Sequence, residues 1–391
     1  MKRPPLWKIT RELQRPLQQI TQLPSRLGSL LLGRWCYDAF LARKIRCTEG
    51  AIPPGPQPAV YLIFPSQGLQ ASHFIALRYL IDSGYAPVVV SNVPLSGADR
   101  QRLSEVCWLC MERPNFGYDF GGYRDGLLTA HARLEQIDRL VLLNDSSWFP
   151  LPGAGDWLTE AQALNADFAA AACNYGHPRV EAENFRSINW GYSTASRNFQ
   201  YCSYALMLSG RLMEDPGFIR FWKRFPLTNN KKFIVRRGET GLTQWVLAHG
   251  FSHGAVLKTA DLDQRLAQLP RDRIRRIAEE TVIFGRPSLA ALKARLLSND
   301  DAPTEDYLSF ILTAVATQGV SYTLPAYLHA EAGFAFLKKS SCWLTRDGSD
   351  ITLRFAAGLT GEAGQAFAAE ARQLRQSRAP DFPPAPNGFQ P

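Results

Sequence analysis

No apolar run in this 391-residue chain approaches the roughly 18–20 residues that a helix needs to cross a bilayer. The first twenty residues, MKRPPLWKITRELQRPLQQI, lack the continuous apolar core of a secretory signal, so the chain is expected to stay in the cytoplasm. Cysteine is sparse: seven residues, an odd number without framework spacing, exclude a disulfide scaffold and suit a reducing compartment. Cys107 and Cys110 form a lone C-x-x-C with no second pair at zinc spacing, and read as core residues of a strand. The phosphate-binding G-x-x-x-x-G-K-[ST] loop, H-E-x-x-H and G-x-S-x-G are all missing, which disfavours P-loop ATPases, zinc peptidases and the common serine hydrolases. There is no internal repeat. Spread-out positive charge is missing too. Of the net +9, residues 1–50 supply most, with ten Lys or Arg against three Asp or Glu. A nearly balanced body with a basic arm argues against a nucleic-acid partner.

What is present divides into three parts. Residues 1–52 read as a basic amphipathic arm of one or two helices. Leu6, Ile9, Leu13, Leu17 and Ile20 make one stripe, and Leu27, Leu31 and Trp35 a second. Such an arm suits an anionic membrane surface, or equally a helix packed on the main domain with its basic side solvated. The linker IPPGPQP leads into residues 53–260. There AVYLIF, APVVVSN, CWLCME and DRLVLLND alternate with helical stretches, which predicts an α/β fold: a Rossmann-type, mostly parallel sheet with helices on both faces. Residues 261–391 read as a largely helical C-terminal region ending in a Pro-rich tail.

Two stretches lie just past strand ends, where open parallel sheets bind ligands. The first is RPNFGYDFGGYRDGL, residues 113–127. Glycines let a backbone approach a ligand, and a helix start favours an anion. A sugar nucleotide fits such a place. Gly117, Gly121 and Gly122 would give it room, Arg124 would face its diphosphate, and Asp119 would accept from its hydroxyls, with Asn115 and Asp125 as further donor-binding candidates. The alternative is a tight turn with Asp119 capping the helix. The second stretch is LVLLNDSSWFP, residues 140–150, an apolar strand ending in Asn144-Asp145-Ser146. A carboxylate there is a natural ligand for Mg²⁺ or Mn²⁺, which would bridge diphosphate oxygens. The alternative is an Asx turn closing the strand.

The order of these parts resembles the rhamnan synthesis protein F family. The shared features are R-x-N-x-G-x-D-F-G-G-Y-R-D-G-L, then an apolar strand ending N-D-S, then YCSYALMLSG with FIRFW, RRGETGLT and AYLHAEAGFAFLKKS. The likeness runs over about residues 58–340. It implies a GT-A-like fold and a glycosyltransferase that moves a deoxyhexose, L-rhamnose from dTDP-L-rhamnose, to a growing cell-surface polysaccharide or lipopolysaccharide. The acceptor would be a glycan or lipid-linked glycan at the inner face of the cytoplasmic membrane, reached through residues 1–50. In the GT-A pattern two aspartates hold a metal. Here Leu143 and Ser147 flank the strand end, so Asp145 has no second aspartate two residues away. Asn144 and Ser146 are then weaker oxygen ligands, or the site works without metal through Arg124. The resemblance also implies that Glu239, in RRGETGLT, is the catalytic base beside Asp145, and that His253 is a C-terminal metal ligand. The missing aspartate supports another class of function as well: a non-catalytic glycan- or nucleotide-binding subunit of an assembly complex.

Overall fold

A computed structural model describes residues 32–382. The arm's first stripe, Leu27 and Leu31 of its second, and the tail beyond residue 382 lie outside the described residues. The centre is an eight-stranded mixed sheet in the order β1-β4-β3-β2-β5-β10-β7-β11. Here β1 is Arg46–Glu49, β2 Pro58–Ile63, β3 Ala86–Ser91, β4 Leu109–Glu112, β5 Arg139–Asn144, β7 Phe168–Ala170, β10 Ala205–Ser209 and β11 His253–Ala255, while β6 (Ser147–Trp148), β8 (Cys173–Asn174), β9 (Gln200–Tyr201) and β12 (Leu337–Lys338) form two short pairs outside it. The run β4-β3-β2-β5 is parallel, while β10 runs antiparallel to both of its neighbours. β2 and β3 are buried along their whole length, as strands covered on both faces should be. Tyr61, Ile63, Val89, Val141 and Leu143 pack on one side, with Ala76, Leu77 and Leu80 of helix α1, Ala71–Asp82. Val60, Leu62, Val88, Val90 and Leu142 pack on the other, with Phe120, Tyr123 and Leu127 of helix α2, Tyr118–Arg133. Each such apolar side chain contributes on the order of 1.5–3 kcal/mol when fully buried.

Two boundaries read from the sequence move. Residues 46–49, expected in the arm, form the antiparallel edge strand β1 on β4. Tyr37 is fully buried against the body, while Trp35 is 64% exposed. Within residues 37–49 Tyr37 and strand β1 are thus packed on the body, while Phe40 stays exposed. At the other end, one apolar core runs from the sheet into the helices after residue 260, joining Val141 and Leu143 to Ile274, Phe310 and Phe336. A two-residue strand, β12 (Leu337–Lys338), pairs antiparallel with β6 (Ser147–Trp148). The ring of Phe336 stacks on Phe149 at 4.3 Å. The C-terminal region is thus built onto the end of β5.

The glycine-rich stretch is helix rather than loop. A Cβ at Gly122 would lie 2.3 Å from Leu62 Cδ1, and one at Gly126 would lie 2.5 Å from Val60 Cγ1. These glycines let α2 settle directly on β2. A Cβ at Gly121 would strike the Phe116 carbonyl at 2.3 Å, and Gly117, at φ +83°, caps the helix in the left-handed region. The close approach inferred from the sequence is real, and what approaches is the sheet.

Candidate active site

In chain order β2, β3 and β4 extend the sheet one way, and β5 returns to the other side of β2. The reversal opens a crevice past the carboxyl ends of β2 and β5, where such sheets bind ligands. A cleft of about 650 Å³ lies there, within the range of small-molecule sites. Its lining includes Phe64 and His73 from the β2 side, Asn144, Asp145 and Ser146 after β5, Asp119 of α2, Glu239, and Lys338 and Lys339.

Asp145 sits directly past β5. Its Oδ2 accepts the Phe64 amide at 2.7 Å and faces His73 Nε2 at 3.4 Å. His73 Nδ1 accepts the Gln70 amide at 2.9 Å. Since a backbone N–H can only donate, the proton of neutral His73 is on Nε2, aimed at Asp145. Burial pushes the Asp145 carboxyl up, but the hydrogen bond from His73, the charge of Lys339 and the Phe64 amide outweigh it, and the acid lies below its ordinary value. Asn144 does two things at once: its Oδ1 accepts from Ser146 N and Oγ, and its Nδ2 donates to Asp119 Oδ2 at 3.2 Å. The expected Asx turn is therefore present, and it sets the cleft's edge rather than replacing it.

Asp119 opens onto the cleft with protein on its remaining sides. Although Asp119 is exposed to the cleft, desolvation by the protein packed around it, then the charges of Asp145 and Glu239, push its carboxyl up to about 6, against the pull of Lys338 and Lys231. Glu239 lies in a π-helical turn, Arg236–Thr240, between helical segments Lys231–Val235 and Gly241–Ala248. Such turns recur at functional sites. Gly238 makes this one possible, because a Cβ there would lie 2.2 Å from the ring of Phe120. Ser203 Oγ donates to Glu239 Oε1 at 2.7 Å, and Gln200 Nε2 donates to Oε2. Burial raises the Glu239 acid despite these bonds and the charge of Lys338. Tyr123 of α2 in turn donates to the Ser203 carbonyl at 2.7 Å, so the helix fixes the loop that orients Glu239.

Asp119, Asn144, Asp145, Ser146 and Glu239 are thus brought together, and the other candidates are not. Arg124 turns away from the cleft to Asp38 at 2.8 Å and to the Trp222 carbonyl at 3.1 Å. Asp125 pairs with buried Arg113 at 2.7 Å and with the Tyr37 hydroxyl. Their charges are spent tying residues 37–38 to α2, which corrects their assignment to a donor. Gly117, Gly121 and Gly122 are corrected by the packing described above, and Asn115 lies outside the cleft lining. His253 lines a separate cavity, with Nδ1 2.7 Å from the Tyr201 hydroxyl. It therefore cannot share an ion with Asp145. Among the described residues no group of three or more His, Cys, Asp or Glu side chains is placed to hold a metal ion. Within the cleft Asp145 and Asp119 are the carboxylates near the tip of β5 that a divalent cation could share with a bound diphosphate.

Sequence reasoning missed His73, Gln200, Ser203, Lys338 and Lys339. The lysines had a visible signal: a strand-length apolar run, AGFAFL, ends in two of them. Lys338 is 5% exposed and Lys339 9%.

Comparison with known proteins gives three findings. The sequence profile of the family described as Rhamnan synthesis protein F matches residues 87–308, more than half of the chain. An uncharacterized protein, y4gN, of Sinorhizobium fredii (strain NBRC 101917 / NGR234) is 32% identical over 256 residues, covering 65% of this chain and 62% of its own length. Among solved structures, mannosyltransferase PcManGT from Pyrobaculum calidifontis, in complex with GDP-Man and Mn²⁺, aligns with TM-score 0.29 and 13% identity over 92% of each chain. S. aureus TarS 1–349 aligns with TM-score 0.23 and 11% identity over 82% of this chain and 90% of its own. At these scores the structural likenesses carry no argument about function.

Proposed function

The chain belongs to the rhamnan synthesis protein F family, and on that premise we propose that it is a glycosyltransferase whose nucleotide-sugar donor occupies the cleft past β2 and β5. One observation carries the reading: Asp119, Asp145 and Glu239 converge with Lys338 at the point where the sheet reverses. Paired carboxylates in unlike environments suit acid–base chemistry. Glu239, oriented by Ser203 and Gln200, takes the proton of the acceptor hydroxyl as that oxygen attacks the sugar's anomeric carbon. Asp145, kept ionised beside His73, and Asp119 accept hydrogen bonds from donor hydroxyls. The family's description, Rhamnan synthesis protein F, supports L-rhamnose as the sugar; dTDP-L-rhamnose as its donor and a cell-surface polysaccharide or lipopolysaccharide as the acceptor are part of the proposal. A lipid-linked acceptor would be met at an anionic membrane surface through residues 1–50. Exposed Leu32, Trp35 and Phe40 beside Arg34 support that contact.

The test is a panel of nucleotide sugars incubated with the full chain and a glycan acceptor, followed for nucleoside diphosphate release. Release from one donor, with sugar appearing on the acceptor, is the expected result. Binding of a donor without any release would favour the non-catalytic subunit instead.

A further inference from the structure

Lys338 is a buried ammonium with too few partners. Its Nζ carries three donors, and its hydrogen bond among the described residues is to Ser146 Oγ at 3.2 Å. The Tyr204 ring lies beneath it at 3.4 Å from the centroid, and no carboxylate of the described residues reaches ion-pair distance. A buried ammonium without a close counter-ion is costly, and burial pulls Lys338 down to about 8, against the charges of Cys202, Glu239 and Asp119. Lys339 differs. Its Nζ meets Ser72 Oγ at 3.1 Å and the Glu370 carboxylate at 3.8 Å, so its charge is answered within the protein. Backbone pairing fixes the position of both: Lys338 stands opposite Ser147, and the Lys339 amide donates to the Ser146 carbonyl at 3.0 Å. The C-terminal region thus delivers a cation to the tip of β5, where the expected ligand set for a metal is not assembled.

We propose that Lys338 is the anion anchor of the cleft, its ammonium taking the donor's diphosphate and the charge that develops there, in the place a divalent cation would otherwise hold. The inference rests on the glycosyltransferase reading. As the acceptor oxygen bonds to the anomeric carbon, the bond from that carbon to the phosphate oxygen breaks, and its electron pair stays on the phosphate. The acceptor proton goes to Glu239. The departing nucleoside diphosphate therefore gains one negative charge, and Lys338 meets it with a hydrogen bond stronger than one between neutral groups.

Calorimetric titration of the full chain with inorganic pyrophosphate, once in EDTA and once in excess Mn²⁺, tests this. Wild-type protein is expected to bind equally in both. Lys338→Met should weaken binding about 10- to 100-fold, Lys338→Arg should recover part of the loss, and Lys339→Met should lose less than Lys338→Met. Binding that requires Mn²⁺ would overturn the anchor while leaving the transferase reading standing, and this comparison needs no variant to fold. Unchanged affinity in a folded Lys338→Met protein, or equal losses at Lys338 and Lys339, would overturn it as well. No pyrophosphate binding in either buffer would overturn both the anchor and the donor assignment of the cleft.

Discussion

Helix α2 and strand β12 meet the same cleft with opposite economies. The stretch 113–127 is crowded with glycine, arginine and aspartate, yet it brings one side chain, Asp119, to the cleft lining. The stretch 337–340 is marked only by two lysines closing an apolar run, yet it contributes Lys338, Lys339 and Ser340. In the first, Arg113, Arg124 and Asp125 neutralise one another and Asp38 beneath the helix, and the glycines bring the helix down onto β2. Dense polar and glycine patterning there reports a close, charge-matched packing. In the second, a short apolar strand ends in a lysine that no carboxylate of the described residues meets at ion-pair distance, Asp119 and Glu239 acting on it from farther off. Unanswered charge marks a ligand site better than motif density does.

That contrast can be broken most sharply at Glu239, which the cleft orients without needing it for packing. Glu239→Gln should lower turnover by about 10²- to 10⁴-fold, the usual weight of a general base, with donor affinity retained. Initial rates beside a donor-binding titration check it, and parallel losses in both would make Glu239 a binding residue. Within α2 the expected effects are on stability. Arg113→Ala strands buried Asp125 and should cost about 3–5 kcal/mol in denaturant unfolding, while pyrophosphate affinity per folded molecule stays at the wild-type value. Gly122→Val forces a side chain into Leu62 and should cost about 1–3 kcal/mol, again without a change in affinity. A selective loss of binding in either variant would return the stretch to the donor site.

The smallest expected effect lies at the one residue that belongs to both roles. Because the folded-state Asp119 acid is raised to about 6 from 3.8, its ionisation destabilises the fold, a loss that sets in as pH rises through that window. Asp119→Asn should therefore melt higher than wild type at pH 8, with the gain shrinking as pH falls from about 6 toward 4, while transfer is impaired. Thermal melts at pH 4, 6 and 8 check the sign. A gain that grows on acidification would contradict the environment described here.

The parallel strands, their order along the chain and the cleft at their ends were legible because buried strands declare themselves as short apolar runs between turn residues. Asp145 was legible for the same reason, as a carboxylate at the end of such a run. The roles of Gly122 and Arg124 were not, since a glycine that admits a ligand and one that admits a sheet look alike in sequence, as do an arginine facing phosphate and one facing Asp38. His73 and Ser203 were hidden because their contacts, to Asp145 and Glu239, span 72 and 36 residues. Lys338 reaches Ser146 across 192 residues, through a strand only two residues long. No local pattern carries information over such separations.

The position of a bound nucleoside diphosphate tests the central claim most directly. A crystal structure of the full chain with dTDP should show the diphosphate within hydrogen-bonding distance of Lys338 Nζ, beside Ser146 and across from Asp145, with Gly122 and Gly126 still packed against the sheet. A diphosphate held instead at the N-terminus of α2 by Gly117 and Arg124, or in the cavity beside His253, would contradict the account.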